Sequence, residues 1–251
     1  AEAILSLLRG VPADSLEVMQ ELDFMQQGSG RGANDIPGYK PGVINMLRNR
    51  SLRRSLVVCV VSLVVQQFSG INNAFNFSST FLSQNGLSEF TVTLVAVLMN
   101  VGNVLITIVV VYLMDALGRR VLLLASTAGM IASIFALTLA LTNPGEGWTA
   151  PLAVCAVVAF VTSFGVGMGP VPWLLPAEVF PMELSGVGSA ASASSNWLAN
   201  FAVGVLFLQM ASALGGYCFL PFAAVLIGFF FFILYRIPET RGKTVDQIMY
   251  E

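Results

Sequence analysis

From residue 55 to residue 235 the chain is apolar almost without interruption, and charged side chains divide it into the runs 55–88, 90–114, 121–145, 147–177 and 184–235. Each run is long enough to cross a bilayer, which takes about 20 apolar residues of helix. The last run is 52 residues long, too long for one helix, and Leu214-Gly215-Gly216-Tyr217 divides it. The pattern predicts six transmembrane helices in an all-α, polytopic membrane protein. Residues 1–54 are mostly polar and predict a cytoplasmic helical linker segment. Within it, Asp14-Ser15-Leu16-Glu17 reads as a capping box ahead of Leu16, Met19, Leu22 and Met25, and Gly28-Ser29-Gly30-Arg31-Gly32 as a flexible break. A latch between two membrane halves and a solvated tail are both open readings of this segment. The six-helix domain then covers 55–237, and 238–251 form a cytoplasmic tail.

The six spans group into two triplets, and the first member of each is interrupted. Span one carries Gly70 among side-chain amides, and span four carries Gly165-Val166-Gly167-Met168-Gly169-Pro170-Val171-Pro172-Trp173. Broken helices at matching places in two repeats are how alternating-access transporters build a site at mid-membrane. Close helix packing at glycines and simple proline kinks are the structural alternative. A matched pair of breaks favours the binding site.

Charge adds orientation. With 56% hydrophobic and 10% charged residues the composition lies outside the soluble globular range. Of twelve basic residues, seven lie between Arg9 and Arg54, two are Arg119 and Arg120, and three are Arg236, Arg241 and Lys243. With six spans these three places share one side. The loops around Gln84 to Glu89, Thr142 to Thr149 and Ala211 to Tyr217 contain no Lys or Arg, so both termini are expected in the cytoplasm. No cleavable signal peptide opens the chain and it does not start with Met, so it is expected to begin mid-protein. Cys59, Cys155 and Cys218 fall within spans without metal spacing. No His, metal-ligand cluster or nucleophile–base pair indicates an enzyme, and neither a cofactor nor a nucleic-acid partner is expected.

Inside the spans the chemistry is neutral. Gln66, Gln67, Asn72 and Asn73 sit in hydrocarbon, where an amide without a hydrogen-bond partner is costly. Asn100, Asn103 and Thr107 share one face of span two, and Ser189, Ser192, Asn196 and Asn200 form a stripe in span five, with Trp197 beside it. Interhelical hydrogen bonding accounts for the serines. The amides point instead to a neutral solute rich in hydroxyls, since amides both donate and accept. Trp173 and Trp197 could cover the C–H face of a pyranose ring, although packing or interface anchoring is the commoner role. An ionic substrate would find no counter-charge at this depth.

Five ordered motifs carry a resemblance. Gln66-Gln67-Phe68-Ser69-Gly70-Ile71-Asn72 resembles the seventh-helix signature of the sugar porters of the major facilitator superfamily, and specifically of the facilitative hexose transporters. Asp115-Ala116-Leu117-Gly118-Arg119-Arg120 is similar to the motif after their eighth helix. Gly169-Pro170-Val171-Pro172-Trp173 with Pro176-Ala177-Glu178-Val179-Phe180-Pro181 is similar to the tenth, Asn196-Trp197 with Asn200 to the eleventh, and Pro238-Glu239-Thr240-Arg241-Gly242-Lys243-Thr244 to the tail motif. The resemblance covers nearly the whole chain and implies the carboxy-terminal half of a major facilitator fold, built as two inverted three-helix repeats. It further implies a hexose bound by Gln66, Gln67, Asn72, Asn73 and Asn100, with Trp173 against the ring and Asn196 nearby, and a site gated by the interrupted helices at Gly169, Pro170 and Pro172. Asp115, Arg119, Arg120 and Glu178 would join a cytoplasmic ion-pair network that holds the outward-facing state. The chain departs from the family at Phe75-Asn76-Phe77, where aromatic hydroxyls are common, at Gly165, where many members carry an acid, and near Ser185, where an arginine is usual. A cytoplasmic lock that is weaker or differently built follows.

The expectation is a plasma-membrane carrier that moves a neutral hexose, D-glucose foremost, by facilitated diffusion, completed by a missing amino-terminal six-helix half in the lipid bilayer. A proton-coupled symporter and a non-transporting sugar sensor are the rivals. Pairing with another chain stands beside the fragment reading.

Overall fold

The computed structural model describes residues 12, 19, 42–75, 88–143 and 145–250. The capping box at 14–17, the glycine break at 28–32 and Asn76 and Phe77 lie outside the described residues. The chain forms α1 (Val43–Arg48), α2 (Arg50–Phe68), α3 (Glu89–Leu117), α4 (Arg119–Thr142), α5 (Thr149–Val166), α6 (Val171–Val179), α7 (Met182–Leu214), α8 (Leu220–Arg236) and α9 (Val245–Tyr250). No strand occurs among the described residues. A second short piece, 71–75, continues α2 beyond a turn at Ser69 and Gly70.

Five bodies are long and apolar enough to cross a membrane: Arg50–Phe75, Glu89–Leu117, Arg119–Thr142, Thr149–Val179 and Met182–Tyr217. The sixth apolar helix, α8, has 17 residues, the lower end of the spanning range. Its start follows from the glycine pair that divides the last apolar run. α7 ends at Leu214, Gly215–Tyr217 is a 3-10 turn, and α8 begins at Leu220. Local caps fix other ends. The Asn49 side chain accepts from Ser51 N–H at 3.0 Å and starts α2, and Ser88 Oγ accepts from Thr91 N–H at 3.3 Å and starts α3.

The triplets exchange partners. α7 packs along α2 and α3 along α5, so the second helix of each triplet lies against the first helix of the other. α4 joins them by packing on both α5 and α8. Leu63, Leu123, Met168 and Leu175 are buried at these contacts, and the rings of Phe207, Phe219 and Phe222 meet between α7 and α8 with centroids 5.8 to 6.2 Å apart. α3 and α7 keep most of their apolar surface uncovered. The basic residues of the three sequence regions converge at one end, where Arg50, Arg53, Arg54, Arg120 and Arg236 line a common cavity.

Candidate functional site

Both broken spans are broken by backbone chemistry that leaves polar groups over. At Gly70 the chain takes φ +83°, a conformation that L side chains rarely adopt, and the turn separates Gln66 and Gln67 from Asn72 and Asn73. In the second break, residues 167–170 lie between α5 and α6. Pro172 has no N–H to give the Met168 carbonyl, and Trp173 N–H turns to the Pro170 carbonyl at 3.2 Å instead of that of Gly169. Two carbonyls inside the bundle are thereby freed.

Gln66 takes both. Its Nε2 donates to Met168 O at 2.8 Å and to Gly169 O at 2.9 Å, so the two interruptions are bonded to each other. On the other side of the break, Met168 N–H donates to Ser126 Oγ of α4 at 3.0 Å. Asn196 of α7 closes the set: its Nδ2 donates to Gln66 Oε1 at 3.0 Å and to Leu63 O at 2.7 Å. Gln66 and Asn196 are 3% and 1% exposed, and every N–H of both amides is used within the protein.

A second row of amides is half-buried and less complete. Gln67 Nε2 donates to Asn196 Oδ1 at 3.0 Å, and Asn72 Nδ2 reaches across the Gly70 turn to Gln67 Oε1 at 2.8 Å and to Asn200 Oδ1 at 3.0 Å. One N–H of Gln67, the oxygen of Asn72 and the amide nitrogen of Asn200 have no partner among the described residues. Asn73, 3% exposed, has its Nδ2 unpaired as well. The result is a neutral edge that offers donors and an acceptor side by side, which suits hydroxyls and gives no counter-charge to an ion.

The remaining expected residues stand apart from this network. Asn100 lies on an exposed face of α3, with its Nδ2 on its own helix at Ala96 O, 2.8 Å away. Asn103, one turn on, is the half-buried member of that face. Trp173 is 46% and Trp197 64% exposed. Pro172 is buried, while Gly169 and Pro170 are half-buried at the break. Asn200 belongs to the network although the sequence pattern places it only in the span-five stripe.

At the basic end a second cluster ties four elements together. α3 ends at Leu117, and Gly118 turns into α4 with φ +87°; a Cβ there would lie 2.5 Å from Glu239 Oε2. That proximity lets the Glu239 carboxylate accept from Arg119 N–H at 2.9 Å and Arg120 N–H at 3.1 Å, two donors that a helix start leaves without partners, and from Arg241 N–H at 3.1 Å. Arg119 Nε pairs with Glu178 Oε1 at 3.0 Å and its Nη1 with Asp115 at 3.5 Å. Glu178 also accepts from Thr240 Oγ1 at 2.6 Å. Among the described residues the Arg120 guanidinium bonds no carboxylate and donates to Leu234 O. Ser185 donates to Pro176 O at 3.3 Å. Glu239 was visible in the sequence as part of the tail motif, but its capping role depends on a contact 120 residues away in the chain.

Comparison with known proteins gives the family and the fold of the chain. The profile of the family described as "Sugar (and other) transporter" matches residues 1–251. Facilitated glucose transporter member 1 of Gallus gallus is 31% identical over 251 residues, covering all of this chain and 49% of that protein. Member 4 of Homo sapiens is 36% identical over 210 residues, covering 82% of this chain and 40% of that protein. The chain thus spans about half the length of the relatives it matches. A structure of the major facilitator superfamily proton:xylose symporter XylE, bound to 6-bromo-6-deoxy-D-glucose, superposes with TM-score 0.80 at 23% identity, over 99% of this chain and 50% of that one. The fold is one half of a major facilitator fold.

Proposed function

Since the chain belongs to the sugar (and other) transporter family, we propose that it forms the carboxy-terminal half of a carrier that moves a neutral hexose, D-glucose foremost, by facilitated diffusion. The observation that carries this reading is the amide network joining the two broken helices. Gln66 and Asn196 have their N–H groups committed inside the protein and hold the breaks together. Gln67, Asn72 and Asn200 keep groups open on the half-buried side, and these would meet sugar hydroxyls. Asn73 has a spare buried donor beside them, and Asn100 and Trp173 would close on the sugar from more open faces.

Alternating access then follows from where the network sits. The hydrogen bonds from Gln66 to the 167–170 break make sugar contact and helix geometry parts of one structure, so Gly169, Pro170 and Pro172 are the gating elements. Asp115, Arg119, Arg120 and Glu178, with Glu239 added, close the basic end. In this reading that end is cytoplasmic, 1–54 link to a preceding six-helix half, 238–251 form a cytoplasmic tail, and the complete carrier works in the plasma membrane.

The test is uptake of labelled D-glucose against L-glucose into liposomes carrying this chain joined to a six-helix amino-terminal half. Uptake of the D form at least tenfold above the L form, unchanged by a protonophore, is the expected result. Collapse of uptake with the protonophore would replace facilitated diffusion by proton symport. Absence of D-over-L preference would remove the hexose reading.

A further inference from the structure

Away from the amides, at the basic end of the bundle, the start of α2 and the end of α8 line a cavity of about 780 Å³. Its walls carry Arg50, Arg53, Arg54, Arg120 and Arg236, and no Asp or Glu lines it among the described residues. Arg50, Arg53, Arg54 and Arg236 have no carboxylate partner among the described residues. Arg120 is held on the wall by its hydrogen bond to the Leu234 carbonyl. Five cations around one space repel one another unless an anion enters, and the N-terminal end of α2 adds a partial charge of the same sign.

The cavity is also partly apolar. Val57 and Val58 lie about a turn beyond Arg53 and Arg54 along α2, and Phe232 lies a turn before Arg236 on α8, so part of the apolar lining runs into the spans, while Ile237, Pro238 and Ile248 line the outer part. An occupant that is anionic at one end and apolar at the other would match both parts. Guanidinium groups present forked donors that fit phosphate oxygens two at a time. We infer that this cavity binds a phosphate monoester group, supplied either by an anionic lipid whose chain lies along Val57 and Phe232 or by a soluble phosphate.

The full chain in a zwitterionic detergent tests this by thermal unfolding and native mass spectrometry with dioctanoyl phosphatidic acid, dioctanoyl phosphatidylcholine or inorganic phosphate. Phosphatidic acid is expected to raise the melting temperature by several degrees and to stay bound where phosphatidylcholine does not. The double variant Arg53→Gln with Arg54→Gln should weaken that binding at least tenfold, while Arg48→Gln, outside the cavity lining, should not. A shift from phosphatidic acid alone names the lipid as source; an equal shift from inorganic phosphate names a soluble ligand. Equal retention of the two lipids by the unmodified chain with no phosphate effect overturns the site, whatever the variants do. So does unchanged phosphatidic acid binding in the double variant.

Discussion

Gln66 and Asn72 are both amides of one interrupted span, yet their surroundings give them different work. Gln66 is buried and bonds two carbonyls and a second amide, whereas Asn72 is half-buried and keeps its oxygen open. Replacing Gln66 with Ala leaves Met168 O and an Asn196 N–H without partners in buried surroundings, and Gly169 O without one at the half-buried break. Buried groups stripped in this way cost about 1–3 kcal/mol each. Gln66→Ala should therefore lower the melting temperature of the joined carrier by several degrees. Asn72→Ala leaves partners that water can reach. It should move the melting temperature by less than about 2 °C and weaken D-glucose binding by about 1–3 kcal/mol. Thermal unfolding beside competition of labelled D-glucose uptake separates the two. If Asn72→Ala unfolds the protein while Gln66→Ala only weakens the sugar, the division between bracing and binding amides is reversed.

At the scale of elements, the break between α5 and α6 depends on Pro172 as much as on the glycines, because the missing N–H is what frees Met168 O for Gln66. Pro172→Ala supplies that N–H, so the helix can close on its own carbonyl and compete with Gln66. Turnover in D-glucose uptake should fall about tenfold, a barrier change of about 1.4 kcal/mol, while the melting temperature stays level or rises. A loss of stability with unchanged turnover would show the break to be structural only. Both interruptions, and the division of the last apolar run, were legible in the sequence because Gly and Pro act through the local backbone. The direction of the α3 polar face was not. Spacing puts Asn100, Asn103 and Thr107 on one face, but α3 is apolar on its other sides too, and periodicity fixes an inward direction only when polarity differs strongly around a helix. Asn100 accordingly lies exposed and bonded to its own turn. Which amides brace and which stay open was equally hidden, since it depends on carbonyls of a helix break about 100 residues away.

Across the whole molecule, the amide network and the basic end are separate fastenings on the same helices. Gln66 and Asn196 join the triplets at the two breaks, while Glu239 joins the segment after α8 to the start of α4. Gating of the proposed kind requires the end fastening to release while the amide network persists. Glu239→Ala removes the acceptor of three N–H groups, those of Arg119, Arg120 and Arg241. A lost helix cap costs about 0.5–2 kcal/mol, enough to loosen this end without unfolding the bundle. Hydrogen exchange in the joined carrier should become at least threefold faster over 118–121 and 237–242, with exchange around 63–67 and 194–198 unchanged. Glu239→Gln keeps an oxygen acceptor but loses the charge that favours a helix N-terminus, and should fall between the two. Uniformly faster exchange in Glu239→Ala would mean that the two fastenings form one cooperative unit, and independent release of the basic end would be excluded.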